Sequence, residues 1–336
     1  MTEQALERGS TLLVTGGTGF IGSAVARAAV NRGYRVRLLC REGSDRSNLD
    51  DLDAEQVVGD LRDPESLAAA MCGCQGLIHV AADYRLWARD AQEIYRTNVD
   101  GTLALMQAAG NAGVRRVVYT SSVSTLAPRL DRSDADESDV AACANLAGHY
   151  QRSKWLAERH VLAAVASGLP AVVVNPSAPM GPGDVKPTPT GRIVLDTLRG
   201  RMPAFVNTGL NIVHVDDVAT GHLLALERGL VGERYVLGGE NLTLWDILAT
   251  VCRIAGRRPP RIRLPVGLTI PIARVSEFAA RLTGREPRVP LEGAREARHH
   301  MYFSSAKARR VLGYQSRPAG EAIADAVEWF SDSRFS

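Results

Sequence analysis

Apolar and polar positions alternate along the first half of the chain in two periods. Residues 11–15 form a short apolar run that ends in glycines, and 21–32 follows with helical spacing. Residues 34–40 alternate, with Arg35 and Arg37 against Val36 and Leu38, as a strand does. Further short strands are predicted over 56–58, 76–80, 116–120 and 171–175. Between them, Asp63 caps a helix that has Pro64 at its first position. A long helix is predicted over 91–112, closed by Gly113, and another over 150–167, closed by Gly168. Six strands separated by helices imply a parallel sheet covered on both faces, which makes the chain an α/β protein with a doubly wound architecture.

The rhythm breaks after Asn175. Pro176, Pro179, Pro182, Pro187 and Pro189 fall in one glycine-containing loop. Helices then dominate, over 191–200, 218–227, 243–255, 304–312 and 320–330. The expected division is a nucleotide-binding domain over 1–175 and a smaller, mostly helical substrate region over 176–336, with the chain crossing back near 211–240. The apolar stretch 264–280 is expected to pack within the second domain, with a lipid-facing amphipathic surface as its alternative.

Composition narrows the function classes. The length of 336 residues suits about two structural units, and 45% apolar residues can build a sizeable core. Lys+Arg minus Asp+Glu is 40 − 37 = +3, with no long basic run, so no nucleic-acid partner is expected. The opening MTEQALERGS reads as no secretory signal, and no apolar run reaches the length of an integral membrane segment. Five cysteines, Cys40, Cys72, Cys74, Cys143 and Cys252, show no zinc-like spacing, and His299–His300 has no companion at metal spacing. A reduced, cytoplasmic enzyme acting on a small molecule, without a metal, is the expectation.

Candidate chemistry begins at the first turn. Gly16, Gly19 and Gly22 directly follow the first strand, and Gly17, Gly19 and Gly22 fit G-x-G-x-x-G. Glycine there permits the tight turn, the approach of a pyrophosphate to the backbone, and close packing of helix on strand. Thr18 lies within the turn, and the helix start at Phe20–Ile21 points N–H groups at the phosphates. The turn therefore predicts a Rossmann-type dinucleotide site. At the end of the second strand an NAD site calls for an acid, and the chain has Arg41, followed by Glu42. Arg41, with Arg46 nearby, favours the 2′-phosphate of NADP over NAD. Asp60 and Leu61 fall where the adenine would lie.

Tyr150 and Lys154 are four apart in a helical stretch and so share a face. A free phenol titrates near 10, and a cation one turn away is expected to pull it down. Ser122, after the fifth strand, can polarise a substrate oxygen. The order of glycine turn, serine and Tyr-x-x-x-Lys points to Ser122, Tyr150 and Lys154 as a catalytic set.

In these residues the chain resembles the extended, or atypical, short-chain dehydrogenase/reductases. The motifs are TGGTGFIG (15–22), GDL (59–61), HVAA (79–82), Asn98, YTSS (119–122), YQRSK (150–154), NPS (175–177) and HVDDVA (214–219). Within that family, AADYRLWARD, VKPTPTGRIV and MYFSSAKA are similar to the hopanoid-associated sugar epimerases, whose resemblance implies a place in hopanoid biosynthesis. Dihydroflavonol 4-reductases are the next likeness. The resemblance implies that Tyr150 is the acid/base, that Lys154 grips the nicotinamide ribose, and that Ser122 binds the substrate oxygen. It implies support from Asn98, cofactor contacts at Ala81 and Pro176, and Ser177 near the nicotinamide. It implies a homodimer through the two long helices.

Two positions depart from the sugar-nucleotide pattern. Leu210 stands where such epimerases carry a diphosphate-clamping arginine, and Arg41 stands where they carry an acid. The alternative is therefore an NADPH-dependent ketone reductase of dihydroflavonol or hydroxysteroid type. A dinucleotide-sensing regulator without catalysis is a remote third. Arg285 and Arg288 are candidate substitute anchors. Tyr84, Trp87 and Met180 are candidate walls of an apolar substrate pocket, and His149 a candidate neighbour of Tyr150. His214, Asp216 and Asp217 are expected to fix a strand-to-helix turn.

Overall fold

A computed structural model describes residues 6–284, 286–332 and 335. The strands are β1 (Thr11–Thr15), β2 (Arg35–Cys40), β3 (Glu55–Val58), β4 (Gly76–His79), β5 (Arg116–Thr120), β6 (Ala171–Pro176), β7 (Ala178–Met180), β8 (Ala204–Val206), β9 (Gly209–His214), β10 (Arg234–Leu237), β11 (Glu240–Thr243), β12 (Ile262–Leu264) and β13 (His300–Met301). The helices are α1 (Phe20–Asn31), α2 (Pro64–Met71), α3 (Gln92–Tyr95), α4 (Gly101–Asn111), α5 (His149–Ala166), α6 (Pro189–Leu198), α7 (Val215–Arg228), α8 (Leu244–Ile254), α9 (Thr269–Thr283), α10 (Leu291–Glu296), α11 (Ala306–Leu312) and α12 (Ala319–Phe330).

The central sheet has seven strands in the order β10-β6-β5-β4-β1-β2-β3, all parallel. Its central strands β1, β4, β5 and β6 are buried on both faces because successive residues serve opposite cores, whereas the edge strand β3 is largely exposed. Leu12 and Val14 pack with α1, α7 and α11, whereas Leu13 packs with α2, α4 and α5. The order reverses between β1 and β4, which opens a crevice at their carboxyl ends. A smaller sheet, β11-β9-β13 with β7 against β9, lies beyond it, with an apolar core between α6, α8 and α12.

Three expectations change. The sheet gains a seventh strand, β10, paired to β6 from Arg234↔Val173 to Leu237↔Pro176. It is four residues long and is followed by Gly238, in a region whose pattern is otherwise helical. The helix expected over 91–112 is interrupted by a π turn over Arg96–Asp100. Such turns aim a side chain that a regular helix would place elsewhere, and here that side chain is Asn98. The stretch 264–280 does not bury its apolar residues: along α9 only Ala273 and Ala280 are buried.

Candidate active site

The glycine turn sits between β1 and α1. Gly16 has φ +74°, and a Cβ there would lie 2.7 Å from the Ala81 nitrogen. A Cβ on Gly22 would overlap the Gly16 carbonyl, so α1 can close onto the turn only with glycine there. Gly19 is exposed, and no side chain caps the start of α1. The orphan N–H groups of Phe20 and Ile21 therefore form a cradle that a diphosphate fits. The Asn48 amide donates to the carbonyls of Thr18 (3.4 Å) and Gly183 (2.9 Å), which ties this turn to the proline-rich loop. Nothing in the local pattern around Asn48 signals that clasp.

At the end of β2, Cys40 is buried, while Arg41 and Glu42 are exposed. Arg46 donates to Gln56 at 3.0 Å, and the Asp60 carboxylate is bound by Arg62 through Nε (3.0 Å) and Nη2 (2.9 Å). The guanidinium holds that carboxyl below its ordinary range. Leu61 is buried against Gly101 at the start of α4.

Ser122, Tyr150 and Lys154 meet where β5 ends and α5 begins. The Ser122 side chain accepts the Ser124 N–H at 3.1 Å, capping a short turn, and lies beside the Tyr150 phenol. Burial pushes that phenol up to about 12, while the Ser122 hydroxyl opposes the rise. Lys154 is 3% exposed, and its ammonium donates to the Thr120 carbonyl at 2.6 Å, 4.7 Å above the Tyr119 ring. The expected pull of Lys154 on Tyr150 is thus corrected: the charge is turned onto a backbone carbonyl one strand away. Burial lowers the ammonium to about 7, against which the charge of Glu158 holds it.

Residues that local pattern does not mark support this set. Glu158, one turn beyond Lys154 and buried, accepts from Ser121 (2.5 Å), Asn175 (3.0 Å), Thr125 (3.1 Å) and Arg234 (3.2 Å). It thereby joins α5 to β5, β6 and β10. Asn98 donates to the Asp83 carbonyl (2.8 Å) and Ser153 (2.9 Å) and accepts the Asp83 N–H (2.7 Å). Glu292, on α10, accepts the backbone N–H of Tyr150 (3.4 Å) and Gln151 (3.1 Å). Burial and the nearby Glu296 raise its carboxyl well above the usual range. It caps α5 because Gly148 offers no side chain. A helix opening on Gly-His-Tyr without Ser, Thr, Asp or Asn was the signal that its acceptor comes from afar.

On the substrate side, Trp87 is half-buried, and the Tyr84 hydroxyl donates to the Lys186 carbonyl at 3.1 Å. Met180 is corrected: at 1% exposure it belongs to the core of α6, α8 and α12 and walls no pocket. The Ser177 hydroxyl is buried without a hydrogen-bond partner, beside buried Pro176. His149 Nδ1 meets the Tyr95 hydroxyl at 3.2 Å on the surface. His214 Nδ1 accepts the Asp216 N–H at 3.0 Å, and Asp217 holds Arg317, so these residues fix the turn into α7. On β9, Leu210 packs on the apolar core, and Asn211 donates to Asn241 (2.7 Å) and Phe303 (3.1 Å) and accepts from Gly239 (2.8 Å). Arg288 is exposed, and Arg285 lies outside the described residues.

Comparison with known proteins agrees with this architecture. Residues 12–238 match the model of the NAD dependent epimerase/dehydratase family. A Synechocystis protein provisionally named a dihydroflavonol 4-reductase is 46% identical over 95% of this chain and 94% of its own length. Sterol demethylase protein B of Methylococcus capsulatus is 37% identical over 96% of this chain and 98% of its own. The solved structure of gox2253 superposes with a TM-score of 0.86 at 52% identity, covering 96% of this chain and 98% of that one. With a parallel sheet, a glycine turn at its switch point and a match over most of the chain, this protein belongs to the NAD dependent epimerase/dehydratase family.

Proposed function

We propose that this protein is an NADPH-dependent reductase of an apolar ketone, or the dehydrogenase of the corresponding alcohol, rather than a sugar-nucleotide epimerase. The observation that carries the reading is β9: Leu210 is packed into a core and Asn211 is spent on three neighbours, so the strand presents no cation to a substrate diphosphate. Residues 1–175 bind the dinucleotide and 176–336 shape the substrate side, with the chain crossing back near 211–240. When bound, the nicotinamide supplies the hydride. The Tyr150 phenol donates its proton to the carbonyl oxygen, and Ser122 holds that oxygen. Lys154, now on the Thr120 carbonyl, would hold the nicotinamide ribose, and Asn98 holds the loop after β4 in place. The orphaned Ser177 hydroxyl would hold the nicotinamide, which would satisfy a buried polar atom.

The test is stoichiometry. With a cyclic aromatic or steroidal ketone, a reductase oxidises one added NADPH for each alcohol formed. An NAD that survives purification, resists displacement by NADPH and supports isomerisation without net redox would overturn the reading in favour of the epimerase.

Arg41 gives a second test. Its exposed guanidinium makes no ion pair among the described residues and stands at the end of β2, where a 2′-phosphate lies. Arg41→Ser is expected to raise the KM for NADPH by about tenfold to a hundredfold, the worth of a hydrogen bond between charged groups, and to leave that for NADH unchanged. Steady-state kinetics with both cofactors measures it. Equal effects on both would refute the assignment.

A further inference from the structure

Helix α9 is built inside out. Its inward side is polar or small: Glu277 accepts the Leu291 N–H at 2.8 Å, Ser276 accepts the Val289 N–H at 3.2 Å, and Ala273 and Ala280 are buried. Its outward side is apolar. Val275 is 70% exposed, Phe278 65% and Leu282 73%, with Leu268 and Ile272 completing the row. These positions recur at three and four residues and so form one continuous stripe. A solvated helix shows the opposite polarity, and an exposed apolar surface of this extent marks an interaction site.

The charge around the stripe selects the partner. Arg274 and Arg281 are exposed along its edge, and Arg288 is exposed in the segment that follows. The nearby acids are spent: Glu277 is turned inward, and Glu286 is paired with Arg192 at 2.6 Å. A second copy of the chain, meeting the stripe about a two-fold axis, would bring these like charges together. An anionic surface would not. At 15 residues α9 is too short to span a bilayer, and among the described residues no helix is long and apolar enough to do so.

The geometry points to α9 as a peripheral membrane-docking helix, its apolar stripe immersed in the headgroup region of an anionic bilayer and its arginines on lipid phosphates. The placement gives the contact a use. α9 packs on α10, and α10 carries the Glu292 that caps the catalytic helix at Tyr150. The docked helix thus lies one element away from the one that caps the catalytic helix, and the substrate class is a lipid-soluble ketone or alcohol that enters from the bilayer. This last clause rests on the reductase reading, whereas the docking does not.

The experiment is co-sedimentation of the full chain with vesicles of phosphatidylcholine alone or with 30% phosphatidylglycerol, alongside Val275→Ser/Phe278→Ser and Arg274→Glu/Arg281→Glu. All the altered side chains are exposed, and circular dichroism and thermal melts verify that the variants fold. Docking predicts binding to the anionic vesicles that weakens with salt, at least a tenfold loss of partitioning in the serine variant, and loss of the phosphatidylglycerol preference in the glutamate variant. No binding by the unaltered chain, or equal binding by the serine variant, overturns the proposal. Concentration-dependent dimers abolished by the serine variant, without vesicle binding, assign the stripe to a second copy instead. Turnover of a small water-soluble ketone should be the same in the serine variant, so failure of the reductase reading shows in that assay while vesicle binding stands.

Discussion

Tyr150→Phe is expected to lower kcat for ketone reduction by about 10²- to 10⁴-fold, the usual worth of a positioned proton donor. The KM for the dinucleotide should barely move, because the glycine turn and Arg41 lie on other elements. The fold should also persist, since the ring remains and Ser122 keeps its bond to the Ser124 N–H. The pH dependence follows from the position of the phenol. Burial holds it at about 12, so it is protonated and able to donate throughout the neutral range. Reduction in the unaltered enzyme should therefore lose no proton donor between pH 6 and 9. Alcohol oxidation requires the phenolate and should accelerate as pH rises. Stopped-flow measurement of NADPH oxidation during ketone reduction, and of NADP+ reduction during alcohol oxidation, checks each statement. An unimpaired Tyr150→Phe would leave the dinucleotide-sensing regulator as the better description.

Much of this was legible in the order of residues, for reasons that differ by region. The strands β1, β4, β5 and β6 are mostly apolar runs, and burial on both faces leaves that mark without help from tertiary context, while β2 shows through its alternation. The glycine turn and the Tyr-x-x-x-Lys pair are local signals, and the structure places the one after β1 and the other against the end of β5. β10 was not legible, because Arg-Tyr-Val-Leu is too short to show a period and becomes a strand only by pairing with β6. The π turn at Arg96–Asp100 was hidden because it changes hydrogen bonding while leaving helical composition intact. The direction of α9 was misread for a related reason. Apolar content states how much surface a helix offers, but its neighbours decide which side faces inward. Glu158, Glu292 and Asn48 were missed because their partners lie far away in the chain, where spacing carries no information.

Glu158→Ala should be the most destabilising single change at the site, by about 3–5 kcal/mol, because it removes one member of a buried charge pair and leaves the other. The carboxylate is 4% exposed and binds the Arg234 guanidinium together with Ser121, Thr125 and Asn175, so the truncation removes an acceptor shared by the end of β5, β6 and β10. Denaturant unfolding measures the loss, and a cost under about 1 kcal/mol would show the network to be dispensable. Glu158→Gln separates architecture from chemistry. The amide keeps the shape and one acceptor, so most of the stability should remain. It removes the negative charge that holds the Lys154 proton against burial, the two together leaving the ammonium at about 7. Deprotonation of Lys154 then moves to lower pH. Since the protonated form exists only below that pH, activity of Glu158→Gln should fall further behind the unaltered enzyme at pH 8 than at pH 6. A parallel loss at both pH values would assign Glu158 to packing alone, whereas a pH-dependent loss identifies it as the residue that keeps the lysine charged.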